Sequence, residues 1–173
     1  MKFIKSIVFI LIQTACFAQS SATATLSLTL PDVAYIKLVP DNSVINLTSI
    51  VPTSNGGPLT FTSNNTKYIN FTSAVASGVN RTITVQITSG SIPSGMSLKL
   101  TISRGSGGMG QLGTNITSIN LTSNQENIIT GIGSAYTGQG IGFGYNLSYE
   151  LVISDYSQLR AGSTSLTITF TIT

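Results

Sequence analysis

Glu150 and Asp155 lie close together in this sequence, and two carboxylates brought face to face can share acid–base work such as glycoside cleavage. No further motif accompanies them. Glu150 sits between Tyr149 and Leu151 in an alternating run, where a solvent-facing position is the simpler reading, and Asp155 opens a turn. The other common chemistries lack their atoms: the chain has no histidine, and its one cysteine, Cys16, falls in a segment expected to be removed. Imidazole bases, thiol nucleophiles and zinc sets therefore cannot be built. Asp32 follows Pro31 and Asp41 precedes Asn42, turn-building contexts without the alternating acids of a calcium loop. The expectation is no catalytic residue, no metal, no cofactor, and a protein that is not an enzyme.

Two binding chemistries are also weighed. Gly138-Gln139-Gly140-Ile141-Gly142-Phe143-Gly144 has the glycines of a phosphate loop but no strand before it, no helix after it and no Lys-Ser or Lys-Thr pair, so a flexible loop or bulged strand entry is expected. The cations Lys37, Lys67, Arg81, Lys99, Arg104 and Arg160 stand singly, which argues against nucleic acid. Tyr68, Tyr136, Tyr145 and Tyr149 are candidate ligand-contact aromatics for a sugar-binding module, although core or rim packing is their ordinary role. Alternating threonines raise ice binding, but the stacked short repeat that such a grid needs is absent. Asn-x-Ser/Thr triplets at Asn46, Asn64, Asn70, Asn80, Asn115, Asn120 and Asn146 follow from a composition rich in Asn, Ser and Thr. They accept glycans only in a cell with the machinery.

The elements that would carry these residues are strands. Lys2 and Lys5, the apolar run Ser6 to Ile12 and the small residues before Gln19 have the order of a secretory signal, with cleavage expected after Ala18. The apolar run is too short to span a bilayer core of about 30 Å. Acylation of Cys16 is the alternative, disfavoured by Gln13 where a Leu-like residue is wanted. Residues 19–173 then form one domain of short alternating runs punctuated by Gly, Pro, Asn and Ser. Strands are expected at 22–30, 33–39, 44–50, 59–63, 67–73, 81–88, 97–103, 116–121, 127–132, 146–154 and 164–173. The glycine-rich stretch from Arg104 to Gly113 is expected to be the most mobile loop. The fold class is all-β, an immunoglobulin-like antiparallel β-sandwich.

The run Ala24-Thr25-Leu26-Ser27-Leu28-Thr29-Leu30-Pro31-Asp32 and the end Leu159-Arg160-Ala161-Gly162-Ser163-Thr164-Ser165-Leu166-Thr167-Ile168-Thr169-Phe170 give the chain its resemblance to bacterial fimbrial subunits. It is most similar to the disulfide-free pilins of the alternate chaperone-usher type. That resemblance implies an incomplete sandwich completed by strand exchange, in which Ala24, Leu26, Leu28 and Leu30 fill the groove of a neighbouring subunit. It also implies copies of this chain or related subunits as partners, and a periplasmic chaperone to cover the open groove. The period-two pattern fits equally a first strand that pairs within its own domain. The expected function is a secreted, cell-surface structural or adhesive subunit without a membrane span in its mature form, with a stand-alone carbohydrate-binding sandwich as the alternative.

Overall fold

A computed structural model describes residues 20–173 of the chain. The expected signal segment 1–18 lies outside the described residues. Residues Pro31–Thr173 form one compact unit. Residues 20–30 belong to a separate unit, are exposed throughout and carry no strand. The strand expected at 22–30 is therefore not formed within this chain.

Thirteen strands follow: β1 (Val33–Val39), β2 (Ser49–Ile50), β3 (Thr60–Phe61), β4 (Asn64–Ala74), β5 (Arg81–Ser89), β6 (Met96–Arg104), β7 (Met109–Gly110), β8 (Thr114–Asn115), β9 (Ser118–Asn120), β10 (Glu126–Ile132), β11 (Ala135–Tyr136), β12 (Tyr145–Ile153) and β13 (Thr167–Ile172). One 3₁₀ turn, Tyr156–Gln158, precedes the last strand. The protein is all-β, and its two main antiparallel sheets face one another as a sandwich.

The larger sheet runs β7-β11-β4-β12-β6-β9, with β1 added to β4. Thr72 of β4 stands opposite Tyr35 of β1 and also opposite Tyr136 of β11, so β1 occupies the other side of β4 and is a sheet edge. The smaller sheet runs β13-β5-β10-β8, which makes β13 an edge as well. Period-two alternation explains which residues meet in the middle. Ile69 and Phe71 of β4, Leu98, Leu100 and Ile102 of β6, and Tyr145, Leu147 and Tyr149 of β12 face Ile83, Val85 and Ile87 of β5 and Ile128, Ile129 and Ile132 around β10. Phe71 and Tyr145 stack with ring centroids 6.2 Å apart.

The glycine-rich segment from Arg104 to Gly113 is tied down instead of free. The amide of Gly105 donates to the Gly144 carbonyl at 2.7 Å and that of Ser106 to Gly142 at 2.8 Å, while β7 pairs with β11. The Gly138–Gly144 loop leads into β12, held by the Asn70 amide, which donates to the carbonyls of Gly138 at 3.1 Å and Gly140 at 3.0 Å. Gly144 has a left-handed backbone, φ +70°, and a Cβ there would lie 2.1 Å from the Ile69 carbonyl oxygen. Only glycine lets β12 begin so close to β4.

Candidate functional site

The two sides of the sandwich are finished differently. On one side the chain itself crosses between the sheets: β8 pairs with β10 in the smaller sheet and β9 with β6 in the larger. Ile116 donates to the Ile128 carbonyl at 3.0 Å, Ile102 to Thr117 at 2.9 Å and Leu121 to Leu98 at 2.8 Å. The Asn115 amide adds bonds to the carbonyls of Ile102 and Ile116, both at 2.9 Å. That side is stitched shut.

On the other side lie the two free edges, β1 and β13, which approach one another without a backbone hydrogen bond between them among the described residues. The apolar residues along this seam, Ile36 and Leu38 of β1 and Ile168, Phe170 and Ile172 of β13, pack against the core but stay half-buried. Their counterparts on β4, β5, β6 and β12 are fully covered. A row of half-covered aliphatic and aromatic side chains beside two unpaired ladders is the kind of surface to which a strand bearing an apolar residue at every second position can add.

The expected strand-donor residues are placed in the open. Leu26, Leu28 and Leu30 are 85%, 87% and 81% exposed, and Ala24 is exposed beside them. The candidate tyrosines separate into two groups. Tyr145 and Tyr149 point inward from β12 and are buried, and burial pushes both hydroxyls above their ordinary acidity range. The Tyr145 hydroxyl donates to the Leu112 carbonyl at 3.0 Å. Neither ring is open to a ligand, because strand alternation places odd-numbered residues of β12 in the core. Tyr68 is half-buried on the outer face of β4, and Tyr136 is exposed on the outer face of β11. Tyr35, expected from the alternation to continue the core with Val33 and Leu38, is instead exposed on that same face, because β1 turns Ile36 and Leu38 inward.

Several charged residues are held in structural contacts. Lys67 is buried in the first half of β4, and its ammonium donates to the Asp41 carboxylate at 2.7 Å, the Asp41 carbonyl at 2.9 Å and the Ser43 hydroxyl at 2.9 Å. The Lys67 bond, helped by Ser43, holds the Asp41 carboxyl well below the usual carboxylate range. Asp32 pairs with Arg81. Glu150 is exposed opposite Lys99 in the strand register. Asp155 caps the 3₁₀ turn, accepting from the Ser157 amide at 2.9 Å, the Ser157 hydroxyl at 2.7 Å and the Gln158 amide at 2.8 Å, contacts that also lower its pKa. Asp155 is therefore occupied in local turn bonds. A surface cleft of about 310 Å³ is lined by Val75 to Asn80, Gln111, Gly133 and Ser134, a set without a titratable side chain. Among the described residues no three His, Cys, Asp or Glu side chains gather in a metal-binding cluster, and no helix is long and apolar enough to cross a membrane.

A scan against protein-family models gives no match, and searches of curated proteins and of solved structures likewise give none.

Proposed function

We propose that this protein is a secreted, non-enzymatic structural subunit of a surface fibre, pilin-like, an immunoglobulin-like sandwich completed by strand exchange. In this reading residues 24–30 of one copy add a strand along the β1–β13 seam of the next, with Leu26, Leu28 and Leu30 entering the core between Ile36 and Leu38 on one side and Ile168, Phe170 and Ile172 on the other. The observation that carries it is the asymmetry of the sandwich: a side stitched by its own chain, and a side left as two unpaired edges over half-buried apolar residues. The exposed leucine ladder supplies the matching period. Backbone bonds along two ladders and three buried leucines would do the mechanical work. Before assembly such a seam would need a chaperone to prevent edge-to-edge aggregation.

The test is the native protein exported from its own host, run on gels with and without boiling beside a version lacking residues 22–30. A heat-sensitive ladder that disappears on deletion, and a deleted monomer that takes up a peptide of residues 22–30, is the expected result. A stable monomer without a ladder removes the fibre reading.

A further inference from the structure

The outer face of the larger sheet carries a second feature that does not depend on the fibre reading. Register places Tyr35, Thr72, Tyr136 and Met109 in one line across β1, β4, β11 and β7. Alternation sends all four side chains outward, since their neighbours Ile36, Phe71, Ser73 and Ala135 turn toward the core. Tyr35 is 61% exposed, Tyr136 48% and Met109 66%. Tyr35 and Tyr136 flank β4, so two strand spacings separate them, roughly 10 Å. That is about the length of two linked pyranose rings, with the Thr72 hydroxyl between.

Two neighbours give this line a direction and a charge. Lys37 lies two residues along β1 on the same face, exposed and opposite Asn70. The acids nearest to β1 in sequence are both committed elsewhere, Asp32 to Arg81 and Asp41 to Lys67. Among the described residues Lys37 therefore carries an uncompensated positive charge. Beside it the Gly138–Gly140 backbone is fixed over the sheet by the buried Asn70 amide, with Ile141 exposed at the loop's crest. The result is a shallow track: two rings, a hydroxyl and a cation, bordered by a tethered loop.

The dimensions select the occupant. Three strand spacings by one side-chain repeat is on the order of 100 Å², far below the roughly 1,200 Å² of a specific protein–protein interface. A single extended polymer chain fits this width. Tyrosine rings offer an apolar face with a polar tip, suited to the C–H faces of sugar rings, and Lys37 supplies the complement of a carboxylate. We propose that this face binds a carboxylate-bearing polysaccharide, a uronic-acid glycan, laid across the strands over Tyr136 and Tyr35 with an acidic group at Lys37.

The experiment is affinity electrophoresis of the full chain through gels containing polygalacturonate, with a neutral cellulose derivative in parallel. The wild type is expected to be retarded by the polyuronate and much less by the neutral glycan. Tyr35→Thr and Tyr136→Thr, which keep strand-forming residues at exposed positions, should each weaken retardation about tenfold or more. Lys37→Gln should remove the preference for the charged polymer. Thermal melts matching wild type establish that the variants are folded. No retardation by polyuronate overturns the proposal, as does retardation that survives both tyrosine changes. Equal retardation by the neutral glycan overturns the acidic class of ligand.

Discussion

Replacing Leu26, Leu28 and Leu30 together by alanine would separate the monomer from the proposed fibre. In the monomer the three side chains are more than four-fifths exposed, so their removal gives up almost no buried surface. Surface substitutions of this kind stay within about 0.5 kcal/mol, which for a domain of this size moves the melting temperature by no more than about 2 °C. In an assembled fibre each change removes three carbons from a filled pocket. At about 0.8 kcal/mol per buried methylene this is roughly 2.4 kcal/mol per leucine and about 7 kcal/mol for all three, a loss of about 10⁵-fold in subunit association. The backbone ladder is untouched, so the effect isolates the side chains. Differential scanning calorimetry of purified monomer reads the first quantity, and the dissociation temperature of the unboiled ladder reads the second. A ladder as heat-resistant as wild type would refute the pocket-filling role, and a monomer melting many degrees lower would show that the leucines belong to the core of their own chain.

Acid should loosen the domain through Asp41 and Asp155, whose folded pKa values are depressed below the ordinary 3.8. A depressed carboxylate contributes stability that is present above the unfolded pKa and is lost as pH falls through the folded one, so the loss begins near pH 4 and grows below it. Urea melts between pH 6 and about pH 2 check this, and the Asp41→Asn, Asp155→Asn double variant should flatten the profile. Gly144→Ala, which forces a left-handed backbone and a Cβ contact of 2.1 Å with the Ile69 carbonyl, should cost several kcal/mol. Gly131→Ala, with φ +71° but open space around it, should cost only about 1–2 kcal/mol, and thermal melts distinguish the two. Leu100→Ala in the closed core should cost about 2–5 kcal/mol in the monomer. Phe170→Ala at the seam should cost clearly less there and more in the assembled ladder, a difference visible by comparing monomer and polymer melts.

The strands that were legible in the sequence are those whose two faces meet different surroundings. Val33–Val39 was readable in its bounds and in its inward Leu38, but Tyr35, expected inside, faces out with Lys37 while Ile36 turns in. The stretch 44–50 has a similar pattern, yet only Ser49–Ile50 pairs, with β3. Ile45 and Leu47 still pack on the core. Alternation records where side chains go, and a neighbouring ladder is a separate requirement. Residues 22–30 make the same point more strongly, with a regular greasy edge and no strand within the chain. The glycine runs misled in the opposite direction. Their restraint comes from Asn70 and from each other across many residues of sequence, which composition cannot report. Tyr35 was expected in the core beside Val33, but the inward phase of β1 is set by Ile36 and Leu38, and its line with Tyr136 depends on two strand registers meeting at Thr72.

An open edge is a hazard unless something restricts what can pair with it, and β1 carries such restrictions. Pro31 stands just before the strand and Pro40 just after it, and neither offers an amide hydrogen. Lys37 sits midway, where a flat hydrophobic partner would have to accept a charge at its margin. The usable ladder is thus the seven residues Val33–Val39, and Ala24–Leu30 is a run of the same length, with its apolar residues all on one parity and Thr25, Ser27 and Thr29 on the other. On the opposing edge, β13 turns Ile168, Phe170 and Ile172 to the seam. Its neighbour pairing is reinforced by hydroxyls: Thr88 meets Thr169 at 2.9 Å between their side-chain oxygens. A strand of longer reach would meet proline at both ends, and one of the wrong parity would bury hydroxyls against Phe170. In the proposed assembly the seam would select by length and by phase, two properties that the leucine ladder satisfies together.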